Sequence, residues 1–315
     1  MTSKTLQTTS LKASKVTSKY FNFLTKNKKL FSEDPNFFWM QYLARFQFIR
    51  EWSTRDNFAP ETTGANTLRS ISLDDSLEDA HKILWNYGYY RGIRLAPAIL
   101  EEVIEFSRTY PCYGDRDPNI KMTIDQREQV EAELGRTFKL ASYFDGHESC
   151  KAFQQLKQDP TLKAIAAHYL GHEPKYHRGE LMWSFPRVLT VEEKIASAQV
   201  LHCDINDYKT VKFFFYITDV DMESGPHVYI KGSHHNRSLW HQMIGQSIAG
   251  IPDADLIERY GPENVATALG PAGFGFVGDP YVLHRGSTPS KRPRLLLQLE
   301  FGMNTYKTWY FVTPK

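Results

Sequence analysis

Beyond Gly171 the texture of the chain turns from helical to strand-like. Six short runs, Glu180–Phe185, Val200–Asp204, Thr210–Thr218, His227–Ile230, Phe274–Val277 and Leu295–Phe301, are β-branched or aromatic, and Gly, Pro, Asn and Asp separate them. Such residues suit a pleated, half-buried surface, and the turn formers between them fold the chain back on itself repeatedly. Many short strands bury their apolar faces by packing as a sandwich or closing as a barrel. The expectation is a mainly β, α+β domain with helices against one face.

Those helices come from the first half. Ser76 and Asp79 form a capping box ahead of Leu77, Ala80, Ile83, Leu84 and Tyr87, with Gly88 where a left-handed residue ends a helix. Tyr89–Ile93 reads as a short strand. Pro97 opens a helix that turns Ile99, Leu100, Val103 and Phe106 inward. Residues 111–122, carrying Pro111, Gly114 and Pro118, read as a loop. Helices follow over about 124–134 and 160–170, the second capped by Asp159 and closed by Gly171. The stretches 111–150 and 235–270 are long insertions expected to line or cover a pocket.

Upstream, residues 1–30 hold seven lysines and no acid, a composition that fits a solvated tail better than an arginine-rich transit peptide. From Asn36 to Trp52, the residues Trp39, Tyr42, Leu43, Phe46, Ile49 and Trp52 recur at helical spacing and predict one amphipathic helix packed on the main domain. Docking on a carrier protein, a membrane surface, an acyl-CoA or a second copy is the other use of such a face. The chain thus divides into an extension over 1–75 and a domain over 76–315. With 38 basic against 36 acidic residues, the net charge of +2 argues against a nucleic-acid partner. Cys112, Cys150 and Cys203 fit neither a disulfide framework nor a cysteine zinc site, which points to a reducing cytoplasm. No run of eighteen apolar residues predicts a membrane span.

Chemistry concentrates in His202-Cys203-Asp204. Two residues apart on a strand, the imidazole and the carboxylate point to one face while Cys203 points away. With 11 His and 36 acids in 315 positions, chance alone supplies about one such pair. What raises it is His284, at the end of Phe274–Leu283, followed ten residues later by Arg294 at the head of an apolar strand. Two imidazoles and one carboxylate occupy one face of an octahedral iron(II) and leave positions open for a 2-oxo acid and dioxygen. A guanidinium buried in a barrel needs a planar anionic partner, which the far carboxylate of 2-oxoglutarate offers, whereas a surface Arg beside Lys291 and Arg292 needs none.

These residues carry a resemblance. From about Lys82 to Tyr306 the chain is similar to the phytanoyl-CoA dioxygenase family of iron(II)/2-oxoglutarate oxygenases. The similarity lies in Asn86–Tyr90, Asp159–Gly171, the His202/Asp204 pair, Asp219–Asp221 through Ser224-Gly225-Pro226, Lys231–His234, His284, and Arg292-Pro293-Arg294. It implies a double-stranded β-helix, that is, a jelly-roll (cupin-like) core. It also implies His202, Asp204 and His284 as iron ligands, Arg294 as the anchor of 2-oxoglutarate, and hydroxylation or desaturation of a small organic substrate with release of succinate and CO2. A carboxylate at Asp204, where related halogenases carry a small residue, favours those reactions over halogenation. Three departures stand out: Lys231 replaces a proline, Gly286 replaces a serine (with Ser287 one place later), and Arg292 competes with Arg294.

Lys212, Phe214 and Tyr216 share one face of their strand, and Phe213, Phe215 and Ile217 the other. Hydrophobicity does not choose between them, while the resemblance favours Phe214 beside the co-substrate. His234 and His235 read as turn residues, and His227 either reaches the cavity or is a satisfied structural histidine. A catalytically silent binding or sensing barrel is the competing function. An oxygenase acting on a carrier- or CoA-tethered substrate is a third reading.

Overall fold

The computed structural model describes residues 27–54 and 70–307. The strands are β1 (Ile71–Leu73), β2 (Tyr89–Leu95), β3 (Cys112–Gly114), β4 (Lys121–Met122), β5 (Leu140–Ser142), β6 (Lys175–Ser184), β7 (Thr210–Tyr216), β8 (His227–Ile230), β9 (Val265–Ala268), β10 (Phe274–Gly278), β11 (His284–Gly286) and β12 (Arg294–Gly302). Nine form one antiparallel sheet in the order β1-β2-β10-β7-β12-β6-β5-β3-β4, and β11-β8-β9 form a second.

The alternation along β7 shows how the layers divide. Val211, Phe213 and Phe215 join Leu295, Leu297, Leu299 and Phe301 of β12 in a core shared with the helices Leu77–Tyr87, Pro97–Thr109, Lys151–Gln158 and Pro160–Leu170. Phe214 and Tyr216 point the other way, into a second core between the two sheets with Phe274, Phe276, Leu296, Tyr229 and Ala268. Both faces of β7 are apolar because both are covered, which is why hydrophobicity could not orient the strand.

Local signals set the helix ends. Ser76 Oγ accepts from Asp79 N at 3.1 Å, and Gly88 takes φ +64° at the other end, where a Cβ would lie 2.1 Å from the Val282 side chain. Asp159 Oδ1 accepts from Thr161 N and Leu162 N, and its other oxygen from Ser70 N, so one carboxylate caps a helix and anchors the residue that leads into β1.

Four expectations need correction. The helix expected over 36–52 is two helices, Pro35–Leu43 and Gln47–Ser53. The Arg45 carbonyl between them accepts from the Tyr281 hydroxyl, and Gln47 N donates to Gln242 Oε1 at 2.9 Å, so distant side chains take over the groups a continuous helix would pair. The buried stripe is Phe37, Met40 and Ala44 against Ile205, Tyr281 and Tyr306, while Trp39 and Trp52 are exposed. Residues 112–114 and 121–122 are a small hairpin at the sheet edge, not a loop, turning through Asp115 and Arg116 at positive φ. The insertions do more than cover a pocket: β3, β4 and β5 extend the large sheet, and Ile248 and Leu256 pack against Leu201, Cys203 and Leu283. Lastly, the strand expected at Val200–Asp204 shrinks to a single bridge at His202, because Leu201 N donates to Asp253 Oδ1 and Asp204 N to the Pro280 carbonyl.

Among the described residues, no helix is long and apolar enough to cross a membrane. The N-terminal helices are tied down by charge as well as packing. Buried Arg50 pairs with Asp279 at 3.3 Å and lies over the Tyr281 ring, while Asp279 also accepts from Tyr169 Oη at 2.6 Å and Tyr281 N at 2.8 Å.

Candidate metal centre

His202 and His284 face each other across a reciprocal backbone bridge, with His202 N donating to His284 O at 3.0 Å and His284 N to His202 O at 2.9 Å. Their ring centroids are 4.4 Å apart. Asp204 completes the group, its Oδ1 3.8 Å from His202 Nε2 and its Oδ2 3.9 Å from His284 Nε2. One ligand atom from each of the three lies within 4.8 Å of the others, the only such group of three or more His, Cys, Asp or Glu among the described residues.

Each imidazole is held in one tautomer. His202 Nδ1 lies 2.9 Å from the Val200 carbonyl and His284 Nδ1 2.8 Å from the Val282 carbonyl. A carbonyl only accepts, so Nδ1 carries the proton and Nε2 turns an unshared pair toward the centre of the group, the arrangement that orients metal-binding histidines. Sequence reading does not find these partners, because they are backbone atoms whose direction depends on the local turn.

Lys212, on the inner face of β7, lies 2.6 Å from Asp204 Oδ2 and 3.4 Å from Glu300 Oε2. Glu300 stands opposite Lys212 in the β7–β12 register and also takes Arg178 and Asn206. Burial works to raise the Asp204 pKa, but Lys212 and the two imidazoles outweigh it and hold the carboxyl well below the usual range. With one oxygen engaged by the ammonium, Asp204 has its other oxygen free for a cation. Glu300 was missed in the sequence, although a lone acid in Leu295-Leu296-Leu297-Gln298-Leu299-Glu300-Phe301 signals a buried charge with a partner.

Arg294 is inside the structure, not at the surface, and is 4% exposed. Nη2 reaches Ser184 Oγ at 3.5 Å, whereas Nε and Nη1 are buried with no hydrogen-bond partner. Its competitor Arg292 is exposed and paired with Asp221 and Glu223. The Gly286 departure has a spatial meaning, since a Cβ built there would lie 3.9 Å from Arg294 Nη2. Gly286 and His284 are two residues apart on β11 and share a face, so the guanidinium stands beside the next position along that face from the histidine. Phe214 is buried between the two sheets, stacked on Phe276 at 4.9 Å and tilted against His227 at 4.9 Å. His234 and His235 lie in a turn, and both direct Nε2 at the Trp85 carbonyl.

Two comparisons bear on the fold. The chain is similar to the non-heme alpha ketoglutarate dependent epimerase SnoN from nogalamycin biosynthesis, with a TM-score of 0.53 and 15% identity over 75% of this chain and 87% of that one. It is also similar to EctD from S. alaskensis with bound Fe, with a TM-score of 0.51 and 13% identity over 84% of this chain and 86% of that one. The fold is the double-stranded β-helix. No family model matches the sequence, and no curated protein does. At such identities the likeness carries the architecture, and chemistry has to be argued from the side chains.

Burial pushes His284 down to about 3, helped by His202 and opposed by Asp204, and burial pushes His234 down to about 4. Both rings stay neutral in the folded protein where an unfolded chain takes up protons, below about pH 6.5. The stability they contribute is complete above that pH and is lost as pH falls toward 4, at up to about 1.4 kcal/mol per unit for each ring. The urea midpoint of metal-free protein is therefore expected to fall between pH 7 and pH 5. Equal midpoints at those values would contradict the assignment.

Proposed function

We propose that this chain is an iron(II)- and 2-oxoglutarate-dependent dioxygenase that hydroxylates or desaturates a small organic substrate. The observation that carries the reading is Arg294, a buried guanidinium with two nitrogens unpartnered, beside Gly286 on the strand that carries His284. An unpaired charge of this kind costs several kcal/mol, and the far carboxylate of a 2-oxo diacid removes that cost with a planar, two-pronged partner. A silent binding barrel has no need of the arginine and the three converging ligands together.

The donor set fits iron(II): two neutral Nε2 atoms and one carboxylate oxygen on one side leave the opposite side for exchangeable ligands. Iron(II) held there would bind 2-oxoglutarate and dioxygen together and let dioxygen, the oxidant, oxidise both the 2-oxo acid (to succinate and CO2) and a substrate C–H bond. The protein's own part is positional. Val200 and Val282 fix the imidazoles, and Lys212 keeps Asp204 ionised and oriented. Arg294 aligns the diacid, and Phe214 with Phe276 forms a dry wall beside it. The carboxylate at Asp204 supports oxygenation over halogenation, the motif resemblance supports the phytanoyl-CoA dioxygenase branch, and three free, buried cysteines support a reducing cytoplasm as its home.

Anaerobic addition of iron(II) and then 2-oxoglutarate is expected to produce a visible metal-to-ligand charge-transfer band that saturates at one equivalent of each. A protein that binds neither, or that shows no band with both present, does not have this function.

A further inference from the structure

We propose that His227 recognises the far carboxylate of the 2-oxo acid beside Arg294 and thereby sets the length of co-substrate that the site accepts. The proposal rests on the preceding reading of the site and adds a residue which that reading does not use.

The register of the small sheet places His227. It stands opposite Gly286 across the β8–β11 pair, as Tyr229 stands opposite His284. Directly paired residues project to the same face with Cβ atoms about 5 Å apart, so His227 flanks the position over which Arg294 Nη2 lies. Tyr229 stacks on the His284 ring at 5.6 Å, and His227 packs on Phe214 at 4.9 Å and Phe276 at 5.5 Å. The face His284–Gly286, the pair Tyr229–His227, the two phenylalanines and Arg294 thus surround one stretch of interior. An extended chain running from the metal position to the guanidinium passes over Gly286, with the imidazole at its side.

His227 makes no side-chain hydrogen bond with the described residues, and its Nδ1 is fully buried. Most buried imidazoles find a partner, and an unpaired nitrogen costs about 1–3 kcal/mol. Burial and the nearby Arg294 cation hold the ring neutral, so one nitrogen keeps a proton to donate. A carboxylate oxygen at the end of the diacid satisfies the imidazole and the guanidinium at once. Because β8 fixes the imidazole and β12 the guanidinium, the acceptor has to arrive at one depth, which discriminates a five-carbon from a six-carbon 2-oxo diacid.

The test compares wild type with His227→Leu, His227→Gln and His227→Asn. Dissociation constants for iron(II), 2-oxoglutarate and 2-oxoadipate, which is one methylene longer, are measured anaerobically from the charge-transfer band. Near-ultraviolet circular dichroism reports whether each variant is folded. Leucine is expected to weaken 2-oxoglutarate binding by about tenfold or more, with iron(II) affinity unchanged within about twofold, and glutamine to restore most of the loss. Asparagine, too short to fill the place, is expected to move the preference toward 2-oxoadipate by about fivefold or more, which keeps the test decisive if the leucine variant does not fold. Wild-type affinity in the leucine variant, or an unchanged ratio of the two diacids in the asparagine variant, overturns the role of His227 alone. A wild-type protein that binds iron(II) but neither diacid overturns the co-substrate reading together with it.

Discussion

Asp204→Ala is expected to abolish turnover, because it removes the single anionic group from the three that converge and leaves two neutral imidazoles to hold a dication. The electrostatic contribution of such a carboxylate is several kcal/mol, on the order of a thousandfold or more in metal affinity. The fold should survive, since Lys212 keeps Glu300 at 3.4 Å as a partner. Iron(II) affinity, 2-oxoglutarate consumption and thermal unfolding measured together separate a lost metal from a lost structure. Wild-type turnover in a folded Asp204→Ala protein would refute the centre.

The second large effect has opposite signs on affinity and stability. Arg294→Met removes two charge-assisted hydrogen bonds to the co-substrate, each about 1.5–3 kcal/mol, so 2-oxoglutarate binding should weaken by about a hundredfold or more. In the metal-free, ligand-free protein the same change replaces an unsatisfied guanidinium by an apolar chain of similar reach, and unfolding free energy should rise by about 1–2 kcal/mol. Chemical denaturation of the empty protein and co-substrate titration read the two arms. A methionine variant less stable than wild type would mean that the guanidinium already has the contacts it needs.

What the sequence disclosed, and what it hid, follows the range of the interactions concerned. Helix ends such as Ser76–Gly88 and Asp159–Gly171 depend on side chains within a few residues, and they stand where the capping chemistry puts them. The pairing of β7 with β10 and β12 is carried by long aromatic and aliphatic runs whose strand character needs no context. The convergence of His202, Asp204 and His284 was legible because residue types at a two-residue spacing, plus a distant histidine and arginine, form a pattern with a chemical purpose. The face of Asn36–Trp52 was not legible. Phe37, Met40 and Ala44 are spaced for a helix as well as Trp39 and Leu43 are, and only the surface made by Ile205, Tyr281 and Tyr306 selects the first set. Lys212 illustrates the same limit, since its register partner Glu300 lies 88 residues away and sheet register cannot be read from either strand alone. The Val265–Ala268 and His284–Gly286 strands went unread because Val-Ala-Thr-Ala and His-Arg-Gly lack large apolar side chains such as Tyr229 and Ile230, which mark a strand as short as His227–Ile230.

The Arg50–Asp279 pair ties the first helices to the candidate metal centre. Asp279 adjoins Pro280, whose carbonyl receives the amide of Asp204, so the guanidinium of an N-terminal helix sits three short links from the Asp204 carboxylate. A chain cut at residue 76 would lose more than a leading segment. It would strip the guanidinium paired with a buried aspartate, leaving that carboxylate to Tyr169 and the Tyr281 amide beside the turn that receives the Asp204 amide, so the first helices buttress the candidate centre.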